Sequence, residues 1–303
     1  MTIHASLPRR AVAELIGTAG LLVVVIGSGI QASDLSRDAG VALVANSLAS
    51  AIGLGLIITL FGPLSGAHLN PVVTLTSWWA RRTGGEGLGG REALVYTAAQ
   101  TAGAIAGAVV AEVMFGHAPG TFSTQIRGGG HLLVGEIVAT AGLVLVIQGL
   151  ERIGRPKLIP AAVAAYIAAA IWFTSSGSFA NPAGTIGRAF SDSFTGIAPQ
   201  SLPGFVAAQL IGGVLGLALA ALLYGSAGRG PQDAPAGPAA GVRQPARLRR
   251  KRQRHRAGRS RERCLRDRRL SRPRGRPHRF PQGCPQATPT CPQLVGSDLR
   301  ANE

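Results

Sequence analysis

Six apolar runs, at about residues 11–30, 41–61, 93–115, 132–150, 158–174 and 202–224, dominate the first three quarters of the chain. Each is close to the roughly 20 residues that a helix needs to cross a bilayer core. Two shorter segments, at about residues 70–80 and 181–194, lie between the second and third runs and between the fifth and sixth. Neither is long enough to span. The expected fold class is therefore an all-α membrane protein with six transmembrane helices and two re-entrant half helices. Arg9 and Arg10 before the first run resemble the start of a signal peptide, but that run has spanning length and no small-residue cleavage pattern. It is expected to be a retained first helix.

Charge divides the chain near residue 228. Residues 1–227 carry 11 Lys+Arg against 9 Asp+Glu, leaving 20 against 5 for residues 228–303, so the net +17 belongs almost wholly to the second part. All three cysteines, Cys264, Cys284 and Cys291, are also there, which leaves the membrane part without disulfide or thiol chemistry. The 228–303 segment is rich in Arg, Pro and Gly without apolar periodicity, a composition expected to be disordered. Anionic lipid binding, RNA binding or an appended stretch without a selected role are its alternative readings; nucleic acid is not the expected partner. Near the spans, eight basic residues fall on one side (Arg9, Arg10, Arg81, Arg82, Arg91, Arg152, Arg155, Lys157) and three on the other (Arg37, Arg127, Arg188). Both termini are thus expected in the cytoplasm, in a multi-pass protein of the inner (plasma) membrane.

The phrase SGAHLNPVVT from Ser65 returns as SGSFANPAGT from Ser176. AELIGTAG from Ala13 likewise returns as GEIVATAG from Gly135, and AQTAGA from Ala99 as AQLIGG from Ala208. Three anchors in one order mark an internal repeat, about residues 8–115 and 130–226. An odd number of spans per repeat inverts the second copy in the membrane, so the half helices enter from opposite faces. Asn70 and Asn181 suit N-caps, and Pro71 and Pro182 suit a first helical position, where no amide partner is lost. Two such tips meeting near the midplane would disfavour cations and protons while offering donors to neutral solutes.

The six spans, the boxes Asn70-Pro71-Val72 and Asn181-Pro182-Ala183, Glu14 and Glu136, and the two Ala-Gln pairs together resemble the aquaporin (major intrinsic protein) family over about residues 8–226. The resemblance implies a homotetramer with a pore in each subunit, Glu14 and Glu136 as buried braces of the half-helix loops, and His68 beside the first box. Val72 stands where the family usually has Ala, with slight narrowing expected. Gly184 stands where water-selective members have Arg. Family positions carried onto this chain put the outer constriction at Ser50, Ile171, Ser178 and Gly184, with Trp172 as the alternative to Ile171. Arg188 is either a pore-mouth residue or the partner of Asp192 in a helical ion pair. The wording NPAGTIGRAF is similar to a bacterial aquaglyceroporin-like subgroup associated with arsenic resistance, which implies passive flux of small neutral solutes: glycerol, arsenous acid and water. A water-selective aquaporin and an ion-coupled secondary transporter are the alternatives, with Glu14, Glu112 and Glu136 the acids available for coupling. No catalytic or metal-binding constellation is present, and neither a cofactor nor an enzymatic activity is expected.

Overall fold

A computed structural model describes residues 5–225; the expectations for residues 228–303 lie outside the described residues. Ten helical segments follow one another without a strand among the described residues: α1 (Leu7–Leu35), α2 (Ala39–Ser65), α3 (Pro71–Arg82), α4 (Gly90–Met114), α5 (Gly130–Arg152), a 3₁₀ turn (Pro156–Leu158), α6 (Ile159–Phe173), α7 (Pro182–Arg188), a second 3₁₀ turn (Pro199–Ser201) and α8 (Leu202–Tyr224). Six are long and apolar enough to cross a membrane, α6 together with its leading 3₁₀ turn and α8 likewise. The helix starts follow from local chemistry. Asp38 caps α2 by accepting from the amides of Gly40 and Val41, and α2 stops at Gly66, whose φ of 91° is open to glycine.

α3 and α7 are the two short helices. The second is shorter than the sequence suggests: it ends at Arg188, and residues 189–198 turn back as irregular chain instead of continuing to 194. Partners outside a helix take over there. Ser123 donates its amide to Ala189 and Ala198 donates to Gln125, stitching that stretch to the loop before α5.

The two halves mirror one another in their contacts. α1 packs on α2 and α4, and α5 packs on α6 and α8. The half helices also cross over: α7 lies against α4 of the first half and α3 against α8 of the second. Close approach is secured by paired small residues. A Cβ at Gly103 or Gly107 would overlap the α1 carbonyls of Leu15 and Ala19, and one at Gly212 or Gly216 would overlap the α5 carbonyls of Ile137 and Ala141. In lipid, where apolar surface gains little by leaving its surroundings, such backbone-to-backbone packing holds spans together.

Candidate pore and its lining

Each loop leading into a half helix is shaped around one buried glutamate. Glu14, fully buried in α1, accepts from the Ser65 hydroxyl at 2.6 Å, the amides of His68 and Leu69 at 3.0 and 2.7 Å, and the Gln100 side chain at 2.8 Å. Glu136, fully buried in α5, accepts from the amides of Phe179 and Ala180 at 2.8 and 2.9 Å and from Gln209 at 2.6 Å. The second amide hydrogen of each glutamine reaches a half-helix threonine, Thr74 and Thr185 respectively. A left-handed backbone at Ala67 and Leu69, and again at Ser178 and Ala180, with φ between 46° and 53°, turns these non-glycine residues into a conformation that needs external support. The glutamates supply it.

The tips are then locked to one another. Asn70 caps α3 through Oδ1, which accepts from Val72 N at 2.9 Å, while its Nδ2 donates to the Ala180 carbonyl at 2.7 Å. Asn181 caps α7 by accepting from Gly184 N at 3.1 Å, and its Nδ2 donates to the Leu69 carbonyl at 2.8 Å. Each asparagine therefore starts its own half helix and fastens the loop of the other half.

A cavity of about 240 Å³ runs past these tips. Ser50, Ile171, Ser178, Gly184 and Arg188 line it near the C-terminal ends of α6 and α7; Glu86, Gln148 and Glu151 line it where α3 and α5 finish; Asn70, Asn181 and His68 lie between. One wall is apolar, with Leu21, Val25, Leu54, Val163 and Ile167. The loop residues Gly66, Ala67, His68, Ser178 and Phe179 also line it, and their carbonyls accept no hydrogen bond from any described residue. His68 is held by a 3.2 Å contact of Nδ1 with Thr74 Oγ1 and an edge-on contact with Tyr96.

Several residues sit elsewhere than the sequence suggests. Val72 does not line the cavity; it is 2% exposed and points at α8, where its methyl group would be 2.6 Å from a Cβ at Gly213. The glycine opposite absorbs the extra bulk, so the first box is not narrowed by it. Pro71, Pro182 and Ala183 likewise pack inward and away from the cavity. Trp172 is also absent from the lining: it is half exposed, and its indole donates to Ser47 at 3.2 Å. Arg188 makes no pair with Asp192, because α7 ends at Arg188 and Asp192 accepts instead from the amide and hydroxyl of Thr124. Its guanidinium lies 3.9 Å from the Phe179 ring centroid.

Sequence reasoning did not single out Arg127 for the mouth, nor Tyr96 and Arg10. Arg127 donates to the carbonyls of Gly196 and Phe194 and lies 5.2 Å from the same Phe179 ring; burial lowers its pKa from the ordinary arginine value. Tyr96 donates to the Ser65 carbonyl and accepts from Arg10, which also pairs with Glu92 at 2.8 Å. A basic residue in a loop and a tyrosine inside an apolar run carry no spacing signal that announces such contacts.

Because Val72 fills a packing notch, Val72→Ala should leave glycerol flux within about twofold of the parent while lowering stability by about 1–2 kcal/mol through lost contacts. Stopped-flow flux and thermal unfolding in detergent, measured side by side, separate the two. A large gain in flux would place Val72 on the permeation path.

Several known proteins are similar to this chain. The family model described as "Major intrinsic protein" matches residues 1–170. Aquaglyceroporin AqpS of Rhizobium meliloti (strain 1021) is 46% identical over 213 residues, covering 70% of this chain and 89% of its own length. Aquaporin AqpM of Methanothermobacter marburgensis is 29% identical over 251 residues, 72% of this chain and 97% of its own. The X-ray structure of the aquaglyceroporin from Plasmodium falciparum matches with a TM-score of 0.54 at 21% identity, covering 70% of this chain and 94% of that one, and so shares the fold. With its inverted halves, interlocked asparagine tips and six spans, the chain belongs to the major intrinsic protein family.

Proposed function

We propose that the chain is a passive channel for small uncharged solutes, passing glycerol, neutral metalloid acids such as arsenous acid, and water through the cavity shared by Asn70 and Asn181. The observation that carries this reading is the lining near Arg188: of Ser50, Ile171, Ser178 and Gly184, three are small. On this reading these four form the selectivity region, and Gly184 leaves room for a three-carbon polyol. The two-sided wall supports it further. Unpaired carbonyls and asparagine amides meet solute hydroxyls, and the aliphatic side chains face the carbon edge. The name of the 46% identical relative, an aquaglyceroporin, agrees with a polyol substrate.

An ion-coupled transporter needs an acid free to titrate or to bind an ion. Glu14 and Glu136 are instead filled with donors, and Glu112 pairs with His117 at 2.7 Å away from the cavity lining. Among the described residues the remaining cavity acids, Glu86 and Glu151, are exposed at the far end. Glycerol uptake into proteoliposomes should rise linearly with concentration and ignore collapse of sodium and proton gradients. Saturation at low concentration with a gradient requirement would establish coupling instead.

The same reading includes an inner-membrane homotetramer with both termini in the cytoplasm and a pore in each subunit. The basic bias around the spans supports the orientation. The tail beyond residue 227 is assigned no part in permeation, though its arginines suit anionic lipid.

A further inference from the structure

We propose that the cavity mouth near the end of α7 is a binding site for a small planar monoanion, a carboxylate or bicarbonate, built from the Arg188 guanidinium and the Ser50 and Ser178 hydroxyls. Three observations converge there. Arg188 lines the cavity and is held over Phe179, which itself packs edge-on against Phe205 of α8. The guanidinium makes no hydrogen bond or ion pair with any described residue: Asp192 is occupied by Thr124, and Glu136 by Phe179, Ala180 and Gln209. Ser50 Oγ and Ser178 Oγ are both buried, and neither has a hydrogen-bond partner, yet both residues line the same cavity.

An arginine held against an aromatic face at the mouth of an apolar-walled cavity, with the Glu136 carboxylate acting on it only at a distance and no carboxylate in contact, calls for a mobile anion. Its forked, coplanar N–H groups match two oxygens of a planar anion, a geometry that a spherical halide cannot satisfy. Arg127, on the same phenyl ring, adds positive charge, and two of its N–H donors go to the Gly196 and Phe194 carbonyls, which anchor it there. The two serine hydroxyls then donate to the anion's remaining lone pairs, and small side chains at 50, 178 and 184 leave space for it. Buried hydroxyls without partners are uncommon in folded proteins; here a ligand completes them.

An anion seated there obstructs neutral solutes, so the flux readout rests on the channel reading while a binding readout does not. Proteoliposomes carry formate at equal concentration on both faces, with chloride at matched ionic strength as the reference. Purified protein is unfolded thermally in the same two salts. Formate should slow glycerol flux by about twofold relative to chloride once half the sites are filled, and should raise the unfolding temperature. Both differences should vanish in Arg188→Gln, shrink in Arg188→Lys, which keeps the charge and loses the fork, and shrink in Ser50→Ala/Ser178→Ala. Each comparison is made between salts within one variant, so an altered basal flux does not obscure it. Equal behaviour of the parent in formate and chloride overturns the site, as does a formate effect that survives in Arg188→Gln. If chloride-containing vesicles show no glycerol flux at all, the channel reading fails, and the unfolding shift still decides the anion site.

Discussion

Gly184→Arg is expected to cut glycerol and arsenous acid flux at least about tenfold while water flux persists at a substantial fraction of the parent's. The backbone accepts the change: a Cβ at 184 would meet only atoms of Asn181, at 3.4 Å or more, and Gly184 lies on α7 without a positive φ. The amide bond from Gly184 to Asn181 is untouched. What changes is the space in the cavity that Gly184 lines together with Ser178 and Ser50, where a long cation would replace a hydrogen. A tenfold loss corresponds to about 1.4 kcal/mol of added barrier, modest for pushing a three-carbon solute past a guanidinium and small for a water molecule. Arg is costly at membrane depth without partners, but this mouth is polar and the loop carbonyls at 178 and 179 can accept from it. Crowding with Arg188, one turn away on the same helix, will lower expression. Parallel stopped-flow measurements of glycerol, arsenous acid and water, normalised to inserted protein, read the outcome. Undiminished glycerol and arsenous acid passage in a well-folded Gly184→Arg would mean that size selection happens at another level of the cavity.

The second large effect concerns Glu14. Glu14→Ala should destabilise the folded protein by about 3–5 kcal/mol, because the buried amides of His68 and Leu69 and the side chain of Gln100 lose their acceptor together, and each buried donor left unpaired costs about 1–3 kcal/mol. The loop also loses the support for its left-handed residues. Glu136→Ala should behave alike through Phe179, Ala180 and Gln209. Glu112→Gln, by contrast, alters one contact to a half-exposed histidine and should cost little. Thermal unfolding in detergent orders the three. A Glu14→Gln protein as stable as the parent, with uptake that had lost a dependence on the proton gradient, would instead assign this carboxylate to coupling.

The long helices are legible because the bilayer sets their length in advance and removes any alternative to internal hydrogen bonding. The repeat was legible for a related reason. Glu14, Gln100 and Asn70 act on one loop, and their counterparts Glu136, Gln209 and Asn181 recur in the same order, so the interlocked core is written twice. Family positions carried onto the chain pointed to Ser50, Ile171, Ser178 and Gly184, and these four residues line the described cavity. Contacts between unlike residues were not legible. Val72 looked like a bulkier pore residue until its notch at Gly213, 141 positions along the chain, came into view. Asp192 looked like the fourth-residue partner of Arg188 because helical spacing was extended past the point where α7 stops. Trp172 was adjacent to a lining residue, and only the rotation of α6 separates the two.

The crossed packing of α3 on α8 and α7 on α4 bears on how the protein is made. As the chain leaves the ribosome, α1, α2 and α4 can enter the membrane in turn, but α3 has no α8 to lie against until the last span is inserted. The Asn70 side chain waits less long, until the Ala180 carbonyl just ahead of α7 has been made. Seating of α3 is thus completed only after the last span has been translated, whereas α7 meets α4 as soon as it is made. Truncation anywhere before α8 would strand the first half with an unsheltered re-entrant segment, the kind of species that membrane quality control removes. A lesion in α8, far from the first asparagine in sequence, should therefore surface as poor yield of the entire molecule, with no partially working half left behind.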